Sequence, residues 1–150
     1  MTKIDAAIRL ATPLVFTAHS LPMAMAARSP YFEQLQTSAR MIAENLGWQN
    51  CTLAYQSRSG RPSDPWLEPD IGHVIRKLAA EGHTSLVVAP LGFVCDHVEV
   101  LYDLDIEAKR IAESLGIQLI RASCPNDHPT FVRMMAEVIK TKMHAVKDRG

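Results

Sequence analysis

Four side chains in this sequence have the types and spacing to handle a cation: His19, Glu99, Asp103 and Glu107. The carboxylates recur every four residues, which sets them along one face of a helix. Like charges at that spacing cost an isolated helix ~0.2–0.5 kcal/mol per pair. Such a row is kept either in water or for a positive ion. A neutral imidazole, with an ordinary pKa near ~6.5, offers a lone pair or accepts a proton at neutral pH. Imidazole plus carboxylates therefore suits a divalent first-row cation or proton abstraction. Nucleotide phosphate fits poorly, because neither GxGxxG nor GxxxxGK[ST] occurs. Ser20 adjoins His19, but neighbours on an extended chain point apart, and no GxSxG elbow is present. Hydrolysis is left without support.

The elements that must position these groups can be read from apolar runs and their punctuation. Thr2–Leu10 is weakly helical. Leu14–Ala18 has a buried-strand pattern and leads straight into His19-Ser20-Leu21-Pro22. Met23–Ser29 reads as loop or loose helix. Ser29 as N-cap with Pro30 in the first turn predicts a helix over Tyr31–Leu46, stopped by Gly47. Cys51–Tyr55 is a second strand, followed by a turn-rich loop over Gln56–Asp64. Pro69 opens a helix that runs to about Glu81 and stops at Gly82. Ser85–Leu91, the most apolar strand, belongs in the sheet interior. A helix over His97–Leu115 carries the acidic row and ends at Gly116. Ile117–Arg121 is the fourth strand, and Asn126–Pro129 caps a last helix over Thr130–Ala145.

Strands alternating with helices predict an α/β fold: a four-stranded parallel sheet with right-handed crossovers, a flavodoxin-like three-layer αβα sandwich. With strand order 2-1-3-4, the ligand crevice lies beyond the first and third strands. Residues just past those ends are His19 and the segment Gly92–Glu99, so imidazole and carboxylate should face one crevice.

Bulk composition agrees with a single domain over residues 1–150, long enough to bury a core. Lys+Arg and Asp+Glu are 16 each, and no basic block precedes the C-terminal tail, so no nucleic-acid footprint is expected. Cys51, Cys95 and Cys124 are odd in number and show no CxxC spacing, which argues against disulfides, a zinc knuckle or an iron–sulfur cluster. No apolar run approaches the ~18 residues of a transmembrane helix, and the N-terminus lacks the apolar core of a signal peptide. The expected location is the cytoplasm.

Several motifs in order are specific: Phe16-Thr17-Ala18-His19-Ser20-Leu21-Pro22, Tyr55-Gln56-Ser57-Arg58-x-Gly60, Pro65-Trp66-Leu67-x-Pro69 and Gly92-Phe93-Val94-x-Asp96-His97-x-Glu99-x-Leu101-Tyr102. With Arg121, Asn126, Pro129 and Phe131 they resemble the C-terminal half of the ferrochelatase family, over about residues 14–135. Arg28-Ser29-Pro30-Tyr31 departs from the family's usual Gly-Asp-Pro-Tyr, and Arg61–Asp64 is a slightly altered link before Trp66. The resemblance implies a chelatase-like fold and insertion of Fe²⁺ into a porphyrin or related tetrapyrrole, a lyase reaction of haem biosynthesis. Co²⁺, Ni²⁺ and Zn²⁺ fit the same donors, and no permanently bound cofactor is implied.

By the same resemblance His19 and Glu99 are the catalytic pair. His19, Glu99, Asp103 and Glu107 are the metal-handling set. From the residues themselves, Ser20, Leu21, Pro22, Met23, Trp66 and Phe93 are the expected substrate-binding surface, with core packing as the alternative for Trp66 and Phe93 and core cover for Met23. Asp96 and His97 are expected to orient the loop, and Glu107 to be within reach of an ion pair with Arg110. Because ferrochelatases are built from two similar halves around the porphyrin, a homodimer or a separate N-terminal half is expected to complete the cleft. The rivals are a homodimeric cobalt chelatase for sirohydrochlorin-type rings and a non-catalytic module that binds metal or porphyrin.

Overall fold

The central strand β1 (Leu14–His19) lies between β2 (Cys51–Gln56) and β3 (Ser85–Ala89), and β4 (Gln118–Arg121) completes a sheet ordered β2-β1-β3-β4. The computed structural model describes residues 11–61 and 63–147. All three pairings are parallel, and Leu14 stands opposite both Cys51 and Val87. This is the expected flavodoxin-like order. The helix expected over Thr2–Leu10 lies outside the described residues.

The first crossover runs through α1 (Met23–Ala26) and α2 (Tyr31–Leu46), the second through α3 (Ile71–Ala80). The third is α4, spanning residues 98–114, and after β4 comes α5 (Pro129–Lys147). One sheet face packs Val15, Ala54, Leu86 and Val88 against Ile75 and Leu78 of α3 and Val100, Leu104 and Ala108 of α4. The other packs Leu14 and Phe16 against Ala43 of α2 and Trp48 just beyond it. Side chains alternate across a strand, so a central strand covered on both faces must be apolar throughout. β1 comes close to that condition, with Leu14 to Ala18 all buried and Thr17 the one polar side chain among them. β3 is interior as expected, yet only Leu86 and Val88 are fully buried there, while Val87 and Ala89 are half-covered.

Helix ends follow local chemistry, with two departures from the expected caps. Gly47 closes α2 at φ 64°, a left-handed value that glycine adopts without a Cβ clash. Pro30, not Ser29, is the residue before α2, and the Ser29 hydroxyl instead donates to the Ala26 carbonyl at 3.4 Å. Asp70, not Pro69, caps α3, its carboxylate accepting from the Gly72 amide at 2.8 Å. An acidic acceptor satisfies a free N–H of the first turn, which proline cannot do. The expected single α-helix over His97–Leu115 is in fact composite. It starts as Val98–Val100, widens into a π-helix over Leu101–Ala108 and ends as Lys109–Ser114.

Candidate metal centre

His19 ends β1 and Glu99 begins α4, and the two meet across the C-terminal edge of the sheet. The His19 Nε2 lies 3.9 Å from the Glu99 Oε2, with the side chains 33% and 48% exposed. The other ring nitrogen, Nδ1, is 2.5 Å from the Ser20 carbonyl oxygen. A carbonyl can only accept, so Nδ1 donates, and in the neutral tautomer this leaves the lone pair on Nε2, facing Glu99. That separation is too long for a hydrogen bond. It is within the span of one cation touching both groups, since metal–nitrogen and metal–carboxylate distances run about 2.0–2.2 Å each.

Backbone bonds hold the histidine in place. The Tyr31 hydroxyl donates to the His19 carbonyl at 3.0 Å, and the Ser20 amide donates to the Gln56 carbonyl at 2.8 Å. The Ser20 hydroxyl is buried and donates to the Leu67 carbonyl at 2.9 Å. Ser20 therefore ties two loops together.

On the opposite side, the loop that carries Glu99 is pressed against β1. The Gly92 amide donates to the Thr17 carbonyl at 3.0 Å. A Cβ on Gly92 would sit 2.7 Å from the Ala18 Cβ and 2.8 Å from its Cα, closer than real contacts allow. Gly92→Ala is therefore expected to destabilise the fold by about 1–3 kcal/mol through overpacking. A urea midpoint equal to that of the parent chain would show that the loop and β1 do not meet this closely.

His97 accepts from the Glu99 amide at 3.2 Å through Nδ1 and caps α4, while its ring packs edge-on to Phe93. Phe93 is buried and packs in the main core, the packing alternative expected for it. Asp96 is a clamp. It accepts from the Asn126 side-chain amide at 2.8 Å, from the Arg121 guanidinium at 2.8 Å and from the Cys124 amide at 3.3 Å. Arg121 also donates to Asp105 of α4 at 2.6 Å. These bonds, the one from Asn126 first, hold the Asp96 carboxyl down at about 2. Burial, aided by Asp96, pushes the Cys124 thiol up to about 12. Asp105 closes the run Asp96-His97-x-Glu99-x-Leu101-Tyr102-x-x-Asp105, but it lies two positions off the four-residue step of the row, so spacing alone assigned it no ligand role.

The acidic row separates into distinct environments. Asp103 accepts from the Ser57 hydroxyl in a very short bond and from the Gln56 amide at 3.5 Å. Glu107 lines a small polar pocket with Asp103, Gln56 and Asp70, and no ion pair joins it to Arg110 among the described residues. Among the described residues no three His, Cys, Asp or Glu side chains converge to hold one ion. The expected set of four is thus a pair, His19 and Glu99, with two further acids leading away from it.

The widened turn explains how the row stays in line. In an α-helix each four-residue step runs 40° ahead, because a turn takes 3.6 residues. A π segment takes more than four residues per turn, so its four-residue steps fall behind and offset the forward drift of the α segments that flank it, and such segments are frequent at functional sites. The buried residues Val100, Leu104, Ala108 and Ala112 share the same step, one position behind the acids.

The expected substrate surface is divided. Met23 and Trp66 line a groove of about 570 Å³ with Phe32, Leu67 and Glu68, a size in the range of small-molecule sites. Leu21 and Pro22 are half-buried, held by bonds from the Leu67 amide to the Leu21 carbonyl and from the Met23 amide to the Pro65 carbonyl. The indole N–H of Trp66 is buried without a partner among the described residues. His19 and Glu99 are not among the residues lining this groove.

A family model described as ferrochelatase matches residues 2–143. Curated relatives include a ferrochelatase of Rhodopirellula baltica, 44% identical over 139 residues, which cover 92% of this chain and 40% of the relative. A coproporphyrin III ferrochelatase of Mycolicibacterium smegmatis is 42% identical, over 91% of this chain and 41% of its own length. The chain thus spans about two fifths of the curated relatives it matches. Among solved structures, one described as a cobalamin biosynthesis CbiX protein of Marinobacter aquaeolei superposes with a TM-score of 0.65 at 17% identity. That match covers 89% of this chain and 98% of the other, and it speaks to the fold alone.

Proposed function

The chain belongs to the ferrochelatase family, and from that premise we propose that it inserts a divalent metal, Fe²⁺, into a porphyrin in the cytoplasm, as a lyase of haem biosynthesis. The observation that carries the reading is the His19 lone pair held 3.9 Å from the Glu99 carboxylate at the switch point of the sheet. The metal and the macrocycle are substrates, and the proposal includes no resident cofactor and no iron–sulfur cluster. Three free thiols suit a reducing compartment. Among the described residues no helix is long and apolar enough to cross a membrane.

Insertion exchanges two pyrrole N–H protons for one metal ion and strips water from that ion. An open pair of one nitrogen and one carboxylate donor suits a cargo metal, which must leave as well as arrive. In the proposed reaction His19 Nε2 takes a pyrrole proton or contacts the metal, and Glu99 offsets the charge that develops beside it. Asp103 and Glu107 extend the negative surface away from the pair along α4. The macrocycle must also bend so that nitrogen lone pairs leave the ring plane, which needs walls on both sides. The half-exposed crevice of this chain supplies one wall. A second copy or a separate N-terminal half supplies the other.

The test is metal insertion by the purified chain. Fe²⁺ with coproporphyrin III or protoporphyrin should give the metalloporphyrin absorbance, and Co²⁺ with sirohydrochlorin serves as the rival arm. Turnover only in the rival arm would move the chain to cobalt insertion. Binding of porphyrin without turnover in either arm would make it a non-catalytic half, a reading favoured by the open crevice.

A further inference from the structure

Helix α5 presents Val132, Met135, Val138, Ile139 and Met143 on one broad apolar face, with Arg133, Glu137 and Lys140 on the opposite side. That arrangement is how a helix buries one stripe against a core. Here the stripe is bare: Val132 is 53%, Val138 50%, Ile139 55% and Met143 61% exposed. Only Phe131, in the first turn, is half-buried among the described side chains of the helix.

The sheet has a matching gap. α2 covers Leu14 and Phe16 of β1, but on the same face Ile120 of β4 is 47% exposed and Val87 and Ala89 of β3 are only half-buried. Ile42, on the flank of α2, is 38% exposed and borders a groove of about 190 Å³ with Ala89 and Leu91. A doubly covered parallel sheet normally has a helix there.

We propose that two copies of this chain exchange α5, each helix lying across the β3–β4 face of the other copy. Stripe and gap belong to one chain, so a two-fold pair covers both and leaves neither over. A foreign partner that covered the helix alone would leave the sheet face bare. The half-exposed apolar side chains of α5 and of the sheet face, covered on both copies, bury apolar area on the order of the ~1,200–2,000 Å² of a standard stable interface. Glu137 and Lys140, paired at 2.8 Å, stay on the outer side of the exchanged helix. The proposal goes beyond the chelatase reading and does not rest on it.

The experiment is light scattering on the full chain at micromolar concentration, with Ile139→Asp on α5 and Ile120→Asp on β4. Both side chains are about half exposed in the single chain, so both variants should keep the parent far-ultraviolet spectrum. The parent should be a dimer, and each variant should dissociate at least a hundredfold more readily. Single variants Ile120→Cys and Ile139→Cys, mixed and oxidised, should also form a cross-linked pair. A parent chain that stays monomeric at tens of micromolar would overturn the proposal. So would a dimer that Ile139→Asp breaks but Ile120→Asp leaves intact, which would pair α5 with α5. Loss of the fold in Ile120→Asp would likewise overturn it, assigning the open face to residues 1–10 of the same chain.

Discussion

Replacing His19 with alanine is expected to slow metal insertion at least a hundredfold while leaving the fold unchanged. The ring is a third exposed, and its one hydrogen bond goes to the carbonyl of its own neighbour, Ser20, so little packing is lost. What disappears is the Nε2 lone pair opposite Glu99. General acid–base contributions run at about 10²–10⁴-fold, and a factor of 100 is about 2.7 kcal/mol of barrier. Glu99→Gln keeps the shape of the side chain but removes its charge, and should cost a comparable factor. Initial rates of metalloporphyrin formation, with circular dichroism as the fold control, decide the matter. A His19→Ala chain that turns over at the parental rate would remove the histidine from the mechanism.

The second large effect is expected at the Asp96 clamp, which is remote from the reacting atoms. Arg121→Ala should destabilise the protein by about 2–3 kcal/mol, because it removes bonds to two carboxylates and leaves both partly buried without their cation. Urea unfolding measures it, and a loss under about 0.5 kcal/mol, the range of an ordinary surface change, would contradict it. The same clamp sets an acid limit. The Asp96 carboxyl is held at about 2, below its ordinary value of 3.8. The unfolded chain therefore takes up this proton first as pH falls. The stabilisation is complete above about pH 4 and is lost as pH drops from there through about 2. Asn126 contributes most to that lowering and Arg121 less. Asn126→Ala should accordingly flatten the acid limb of the stability curve more than Arg121→Ala does. The reverse order would contradict the bonding described.

Much of the fold was legible because its signals are local. Gly47 at the end of α2 is one such signal, and the alternation of apolar runs with amphipathic helices is another. Caps were less legible: Asp70 and Pro69 are adjacent and both suit a helix start, and only the backbone reveals which side chain accepts the Gly72 amide. The π segment left a trace that spacing alone could not interpret. Acids at Glu99, Asp103 and Glu107 and apolars at Val100, Leu104 and Ala108 share a four-residue step, which on a straight α-helix drifts by 40° at each step. A wider turn reconciles the two rows, but the same residues would also be read as one amphipathic helix.

Among the candidate site residues, the division follows burial. Ser20 and Phe93 sit in the motifs beside His19 and Glu99, yet the hydroxyl of one is used up on Leu67 and the ring of the other is in the core. A motif names neighbours along the chain, and whether a neighbour faces a crevice or a core depends on what packs over it. Gln56 and Ser57 show the converse. They are 46–47 residues from Asp103 in sequence and hold its carboxylate in space.

By itself the sequence determined the alternation of strands and helices and the segments that carry the imidazole and the carboxylates, which follow from periodicity and from residue types a few positions apart. Facing His19 towards Glu99, 80 residues on, also needed the strand order 2-1-3-4, which the sequence reading assumed and the sheet has. The tertiary structure alone decided that the four expected cation ligands divide into a pair and two outlying acids. It also decided that Asp96, Arg121, Asn126 and Asp105 lock the loop, and that α5 leaves its apolar face bare. Each of these depends on distances between segments far apart in the chain, which no local pattern encodes.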